Sequence, residues 1–311
     1  MRRRFILQEN KVAFDYNNYL TIEALEDDCY VIFTNNIEYG IDGMGWKQLP
    51  AHAMSPTIRS GQTISFRGEL EPTDNIGIGR FTISKKCNLK GNIMSMLFGD
   101  NAANNYSLSG KNYAFCDLFY NCSTIINTNN LSLPATVLEE LCYYYMFENC
   151  GSLTTAPALP ATTLASGCYG GMFLNCPNLV TAPELPATTL ADNCYDYMFW
   201  YCTSLTTAPE LPATTLADNC YGDMFCGCRS LTTAPELPAT TLANFCYRSM
   251  FQYCTKLNYI KMLATNISAS NCLDNWVYGV SSTGTFIKNA AMTSLPTGNS
   301  GIPSGWTVQN A

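Results

Sequence analysis

LPATTLADNCYDYMFWYCTSLTTAPE, from Leu185 to Glu210, is the stretch whose reading decides the fold. The same 26-residue unit recurs almost letter for letter, with full copies starting at Leu133, Leu159, Leu185, Leu211 and Leu237. A period of this length marks a solenoid, in which no unit can bury its apolar face alone and each stacks on the next. Within the first copy, Leu138, Tyr143, Met146, Phe147 and Leu153 recur in every later one. Tyr143, Met146 and Phe147 stand at i, i+3 and i+4, which places them on one face of a short helix or helical turn. Leu153-Thr154-Thr155 is short and β-prone, and Pro157 and Pro134 bound an extended link that cannot join a helix interior. One coil is thus expected to be a short strand, a proline-flanked link and a helical turn. Five buried apolar side chains per coil, each contributing roughly 1.5–3 kcal/mol, outweigh the few charges.

Degenerate units extend the array. Met96-Leu97-Phe98 and Leu118-Phe119-Tyr120-Asn121-Cys122 occupy the Met-Phe-x-x-Cys place on one side. On the other, Leu263 to Asn289 loses the Met-Phe pair and carries Asn275-Trp276-Val277, the atypical sequence a terminal unit needs to cover an exposed core. Gly284 to Lys288 and Gly305 to Gln309 read as closing strands. Ahead of the array, β-patterned runs at 19–25, 29–33, 37–41, 62–67 and 80–84 alternate with turn signals such as Asn35-Asn36, Ser60-Gly61 and Pro72-Thr73-Asp74-Asn75, as in a small antiparallel sandwich. The expected fold is a mixed α/β repeat solenoid, leucine-rich-repeat-like, preceded by a small all-β sandwich. Its parts are an arm over 1–17, the sandwich over 18–90, the solenoid over 91–289 with regular repeats at 133–262, and a cap over 290–311.

Charge is sparse and uneven. The 311 residues carry 17 Lys/Arg and 24 Asp/Glu, a net −7 that falls entirely on residues 91–311. So acidic an array is a poor phosphate binder, which argues against nucleic acid. No apolar run approaches the ~20 residues that span a bilayer, so no membrane insertion is expected. The basic start Met1-Arg2-Arg3-Arg4-Phe5-Ile6-Leu7 imitates a signal peptide but stops at Gln8-Glu9-Asn10-Lys11 without a cleavage site. Work outside a cell would then need another exit, such as release of phage particles at lysis. Ten of the 16 cysteines occupy two repeat positions, led by Cys142 and Cys150. Five rungs cannot pair along their own column, so buried free thiols are expected rather than disulfides. The C-x7-C spacing matches no zinc pattern, and the array has no histidine.

The run Met-Phe-x-x-Cys-x-x-Leu-Thr-Thr-Ala-Pro-Glu-Leu-Pro resembles the repeats of the BspA-like surface leucine-rich-repeat family of Bacteroidales and their phages. Met-Phe stands where that family has Ala-Phe, Leu-Pro where it has Ile-Pro, and the unit is longer. The match covers roughly Asn92 to Asn289. The resemblance implies adhesion or recognition at a surface, transfers no binding residues, and names no cofactor.

Chemistry finds little footing. His52, the only histidine, sits in a Pro-Ala-His-Ala loop. Paired carboxylates could cleave a glycan, and Asp192, Asp196, Asp218 and Asp223 are the candidates. Glu184, Glu210 and Glu236 form a column of like charges about 5 Å apart, either hydrated or sharing calcium. Scaffold letters are invariant between copies while the pairs after Tyr and after Phe vary. Core packing does not dictate those pairs, and exposed rings there suit recognition of sugar or protein. Tyr144, Tyr145, Tyr197, Trp200, Tyr201 and Tyr253 form the candidate patch, with Arg229 and Arg248 adding polar contacts. The expected protein is a non-enzymatic binding protein for a protein or glycan on a cell surface. It would be extracellular, on a virion or a bacterial surface, with the N-terminal domain docking a larger assembly. The alternatives are a structural spacer and, third, a glycan-active enzyme.

Overall fold

The computed structural model describes residues 16–73 and 77–311. The expected arm over 1–17 lies outside them except for Tyr16 and Asn17, as do Asp74 and Asn75 of the expected turn. The described strands are β1 (Leu20–Ala24), β2 (Val31–Phe33), β3 (Ile37–Ile41), β4 (Lys47–Leu49), β5 (Thr63–Arg67), β6 (Phe81–Ile83), β7 (Cys87–Asn92), β8 (Ile125–Ser132), β9 (Thr233–Leu237), β10 (Tyr259–Met262), β11 (Thr285–Lys288) and β12 (Thr307–Asn310). The single α-helix among the described residues is one turn, α1 (Ser95–Phe98).

The mixed α/β, leucine-rich-repeat expectation is therefore overturned. The chain is mostly β and turn, and no regular repeat contains a helix. The physical reason is a period of four rather than 3.6. Cys142, Tyr143, Met146, Phe147 and Cys150 are buried, with half-buried pairs between them, so the chain runs two residues in and two out. The buried set would also fit one face of a helix, with Cys150 at i+7 from Tyr143; it is the backbone that separates the two periods.

The backbone makes this possible by alternating its hydrogen bonds. The N–H groups of Leu141, Tyr143, Tyr145, Phe147 and Asn149 donate to carbonyls of the next coil, from Ser166 to Leu174, at 2.9–3.0 Å. The intervening N–H groups, from Cys142 to Cys150, close local turns onto the carbonyl three residues back at 3.0–3.3 Å. Every fourth residue has positive φ: Leu141 (55°), Tyr145 (54°) and Asn149 (59°), then Gly167, Gly171 and Asn175 in the next coil. A right-handed helix cannot hold that conformation.

Stacking puts like on like. Phe81, Phe119, Phe147, Phe173, Phe199, Phe225 and Phe251 form one column with ring centroids 5.3–5.8 Å apart. Phe115, Tyr143, Tyr169, Tyr195, Tyr221 and Tyr247 form a second at 5.4–6.1 Å. Free thiols line the interior as expected, and they have a use there. The Sγ of Cys176, Cys202, Cys228 and Cys254 donates to a phenylalanine carbonyl one coil further back, at 3.0–3.1 Å.

In the middle coils the extended links meet through single parallel bridges, Thr155 to Thr181 and Thr181 to Thr207. Proline in each Ala-Pro-Glu link removes a donor. Where later coils lose that proline, β10, β11 and β12 pair in regular parallel register, and β9, which keeps Pro235, joins β10 with a register shift between Tyr259 and Lys261. Trp276 then closes the stack, touching the ends of both aromatic columns and donating Nε1 to the Gly301 carbonyl at 2.9 Å.

At the other end the N-terminal sheet continues into the repeats. A six-stranded sheet, in the order β4-β3-β5-β1-β7-β8, joins β7 to β8 in parallel. The β2-β6 pair packs on it through Phe33, Phe66 and Phe81. Phe81 also stacks on Phe119, so one core runs from the N-terminal sheet through the coils.

Candidate functional site

The structure places the varying letters in two strips along the stack. The first follows the Tyr column. Tyr144 and Tyr145 are half-buried, with rings 3.9 Å apart. They lie along the stack over the next coil, where Gly170 and Gly171 make room. A Cβ on Gly171 would meet the Tyr145 ring at 2.1 Å, and one on Gly170 the Tyr144 ring at 2.8 Å. One coil further stand Asp196 and Tyr197, then Gly222 and Asp223, then Arg248. Arg248 bonds Asp223 at 3.0 Å and the Tyr197 hydroxyl at 3.3 Å. The Asp196 Oδ1 is buried without a hydrogen-bond partner, as is the Asn219 Oδ1. Both crowd the place a Cβ on Gly222 would take, at 2.9 and 2.2 Å. Burial, then the neighbouring Asp223 charge, push the Asp196 carboxyl up to about 7, against the pull of Arg248 and Asn219.

The second strip follows the Phe column. Trp200 packs edge-on to Tyr201 at 4.6 Å, and the Arg229 guanidinium lies 6.0 Å from the Tyr201 ring centre. Tyr201 lies over Gly227, and Tyr253 over Gly279. Tyr253 and Tyr278 are both exposed and meet edge-on at 5.3 Å. Tyr197 and Trp200 touch across the two strips at 6.3 Å. The eight residues singled out from sequence are thus not one open patch. Tyr144, Tyr145, Tyr197 and Arg248 belong to a half-buried network, while Trp200, Tyr201 and Arg229 form an edge and Tyr253 stands further along it. Sequence reasoning missed Tyr278 and Asn219. It also missed the coupling that could have found the network, a large residue in one copy facing glycine in the next.

The remaining candidates have structural duties or stand apart. Asp192 accepts the Asp218 N–H at 3.1 Å, and Asp218 accepts the Asn244 N–H at 3.1 Å, so both tie one coil to the next. His52 is exposed in a turn at φ 59°. Glu184 and Glu210 are exposed, and Glu236 is paired with Lys261 at 2.9 Å. Among the described residues no three His, Cys, Asp or Glu gather closely enough to hold a metal ion. In the N-terminal sheet, Arg67 bonds Glu38 and Asp100 at 2.7 and 2.6 Å and covers Trp46 at 4.4 Å, beside a depression of about 390 Å³. No helix among the described residues is long and apolar enough to cross a membrane. Comparison with family models, with curated proteins and with solved structures finds no match.

Proposed function

We propose that this is a non-enzymatic binding protein that presents the edge of a stiff stack to a protein or glycan on a host-cell or bacterial surface, carried on a phage particle or a cell. One observation supports this reading above the rest. Trp200, Tyr201 and Arg229, with Tyr253 and Tyr278 further along, line one edge of a scaffold tied coil to coil by backbone hydrogen bonds. Rings held this way lose little freedom on binding, and flat aromatic faces with an adjacent arginine suit sugar and protein partners. Replacing Trp200 and Tyr201 together by alanine should cut binding to cells or to an arrayed glycan by about tenfold or more. The far-ultraviolet dichroism should stay unchanged. Unchanged binding would remove this edge from the case.

A second reading, a structural spacer, draws on the continuous core from the N-terminal sheet to Trp276, which suits a rigid connector. A spacer predicts no binding loss in that same variant.

A further inference from the structure

We propose that the ligand of the aromatic edge is a neutral β-1,4-linked hexose chain, seated across Tyr201 and Tyr253 with every second sugar on a ring. It rests on the reading of that edge as a binding surface and names what binds there.

One surface column, two residues after the Phe place of each coil, reads Asn149, Asn175, Tyr201, Gly227, Tyr253, Gly279. All six have positive φ, from 53° to 76°. Asparagine and glycine hold that conformation readily, whereas tyrosine holds it under strain. Such strain beneath a partly exposed side chain points to a ring kept for use. The two tyrosines are also built alike. The Tyr201 ring covers Gly227 and is braced edge-on by Trp200 at 4.6 Å; the Tyr253 ring covers Gly279 and is braced edge-on by Tyr278 at 5.3 Å. Each ring therefore lies along the stack, on a glycine of the next coil, as a platform. Asn149 and Asn175, joined at 2.7 Å, continue the column with amides, and Gln252 stands on the rung between the two platforms.

Spacing selects the ligand. The platforms lie two coils apart, tied by the Tyr201 N–H on the Cys226 carbonyl and the Gly227 N–H on the Gln252 carbonyl. The Phe199, Phe225 and Phe251 rings, two residues away, stand 5.7–5.8 Å apart from coil to coil. In a β-1,4-linked hexose chain each sugar is turned over relative to the last, and one sugar is close to one rung in length. The same aliphatic face thus returns at every second sugar, as the tyrosine returns at every second coil, and such a face packs on an aromatic ring. The Gln252 amide is placed for the hydroxyls of the turned sugar between. An extended peptide repeats its face about every 6.8 Å and a polyproline helix about every 9 Å, and neither matches two rungs. Nucleic acid is disfavoured by a net charge of −7.

The test titrates the full chain calorimetrically with β-1,4-linked glucose oligomers of two, three and six sugars, the β-1,4-linked N-acetylglucosamine hexamer, an α-1,4-linked glucose hexamer and a proline-rich peptide. Binding of either β-linked hexamer supports the proposal, and the tighter one names the sugar. Three sugars are the shortest chain that reaches both rings, so affinity should rise by about tenfold from two sugars to three and little thereafter. The α-linked hexamer, whose sugars do not alternate, should bind about tenfold more weakly. Tyr201→Asn and Tyr253→Asn, each placing the residue that the column carries elsewhere, should each weaken the trisaccharide by about tenfold without altering the dichroism. No binding of either β-linked hexamer, equal binding of the α-linked one, no gain from two sugars to three, tighter binding of the peptide, or full binding in both variants would each overturn the proposal. If cell binding is then still lost in the Trp200→Ala, Tyr201→Ala variant, the aromatic edge stands with another partner; if it is kept, the broader reading falls as well.

Discussion

Asp196→Asn tests whether a carboxyl has been buried at a cost. The Asp196 Oδ1 has no partner, and the Asn219 Oδ1, which crowds the same place beside Gly222, also lacks one. The Asn219 amide nitrogen donates to the Asn193 Oδ1 at 2.9 Å, and its pull on Asp196 is the smallest of the influences on that carboxyl. Asp223 faces the same space with its charge bound to Arg248, while Tyr144, Tyr145 and Tyr197 pack nearby without offering a donor to Asp196. Burial and Asp223 hold the folded carboxyl near 7, whereas an unfolded aspartate titrates near 3.9. Between those values the folded chain binds more protons than the unfolded one, so the contribution is full below about pH 4 and lost as pH rises through 7. Three units correspond to a ceiling of about 4 kcal/mol; partial exposure of the side chain brings the expected figure to about 2 kcal/mol. Urea titrations of wild type and variant across the range from about pH 5 to 8 isolate this group together with its coupling to Asp223, because titrations that do not interact with it cancel in the difference. The variant should be the more stable at the alkaline end, by about 2 kcal/mol, and lose that advantage on acidification. A difference flat with pH would refute the reasoning. A difference of opposite slope would mean that Asn219 presents its amide to an ionised Asp196.

Two further outcomes follow from the packing. Gly171→Ala puts a methyl 2.1 Å from the Tyr145 ring at a φ of 57° and should destabilise by about 2–4 kcal/mol in urea, overpacking and left-handed strain together; adding Tyr145→Gly should recover the overpacking part. The thiols should be inert, since burial pushes Cys202 and Cys142 up to about 12. A thiol reagent should label none of the interior column in native buffer at neutral pH and all sixteen cysteines after denaturation.

Much of this was legible in the letters. The period, the two aromatic columns, the thiol ladder and the closing tryptophan follow from which residues never change and where the pattern fails. The path of the backbone was not. Left-handed residues are ordinarily flagged by glycine or asparagine, but here Leu141, Tyr145, Tyr197, Tyr201 and Phe245 occupy such positions. Inter-coil hydrogen bonds hold them there against a cost of about 1–2 kcal/mol each, and that is a tertiary effect no local propensity reveals. The join of β7 to β8 was hidden for a similar reason: β7 runs across the boundary read between sandwich and solenoid, and β8 lies in a degenerate repeat. The candidate patch was half legible. Its residues were named, but each copy was judged alone, and the space above a tyrosine is set by the copy after it.

That dependence gives the repeats a grammar that two deletions of equal length expose. Removing 185–210 joins the coil of Gly167, Gly170 and Gly171 to that of Asn219, Gly222 and Asp223, and only small groups meet. Removing 159–184 instead sets Leu141, Tyr144 and Tyr145 on Asn193, Asp196 and Tyr197. In the intact chain those three side chains lie where Cβ atoms on Gly167, Gly170 and Gly171 would come within 2.5, 2.8 and 2.1 Å. Each new clash costs about 1–3 kcal/mol. Both products lose one coil and keep every column in register, so nearest-neighbour stacking alone predicts equal stability. The glycine pairing predicts that the second falls below the first by at least about 3 kcal/mol in urea, or fails to fold cooperatively. Equal midpoints would show that the rings simply turn aside, and the variation between copies would then be as free as it looks in the sequence.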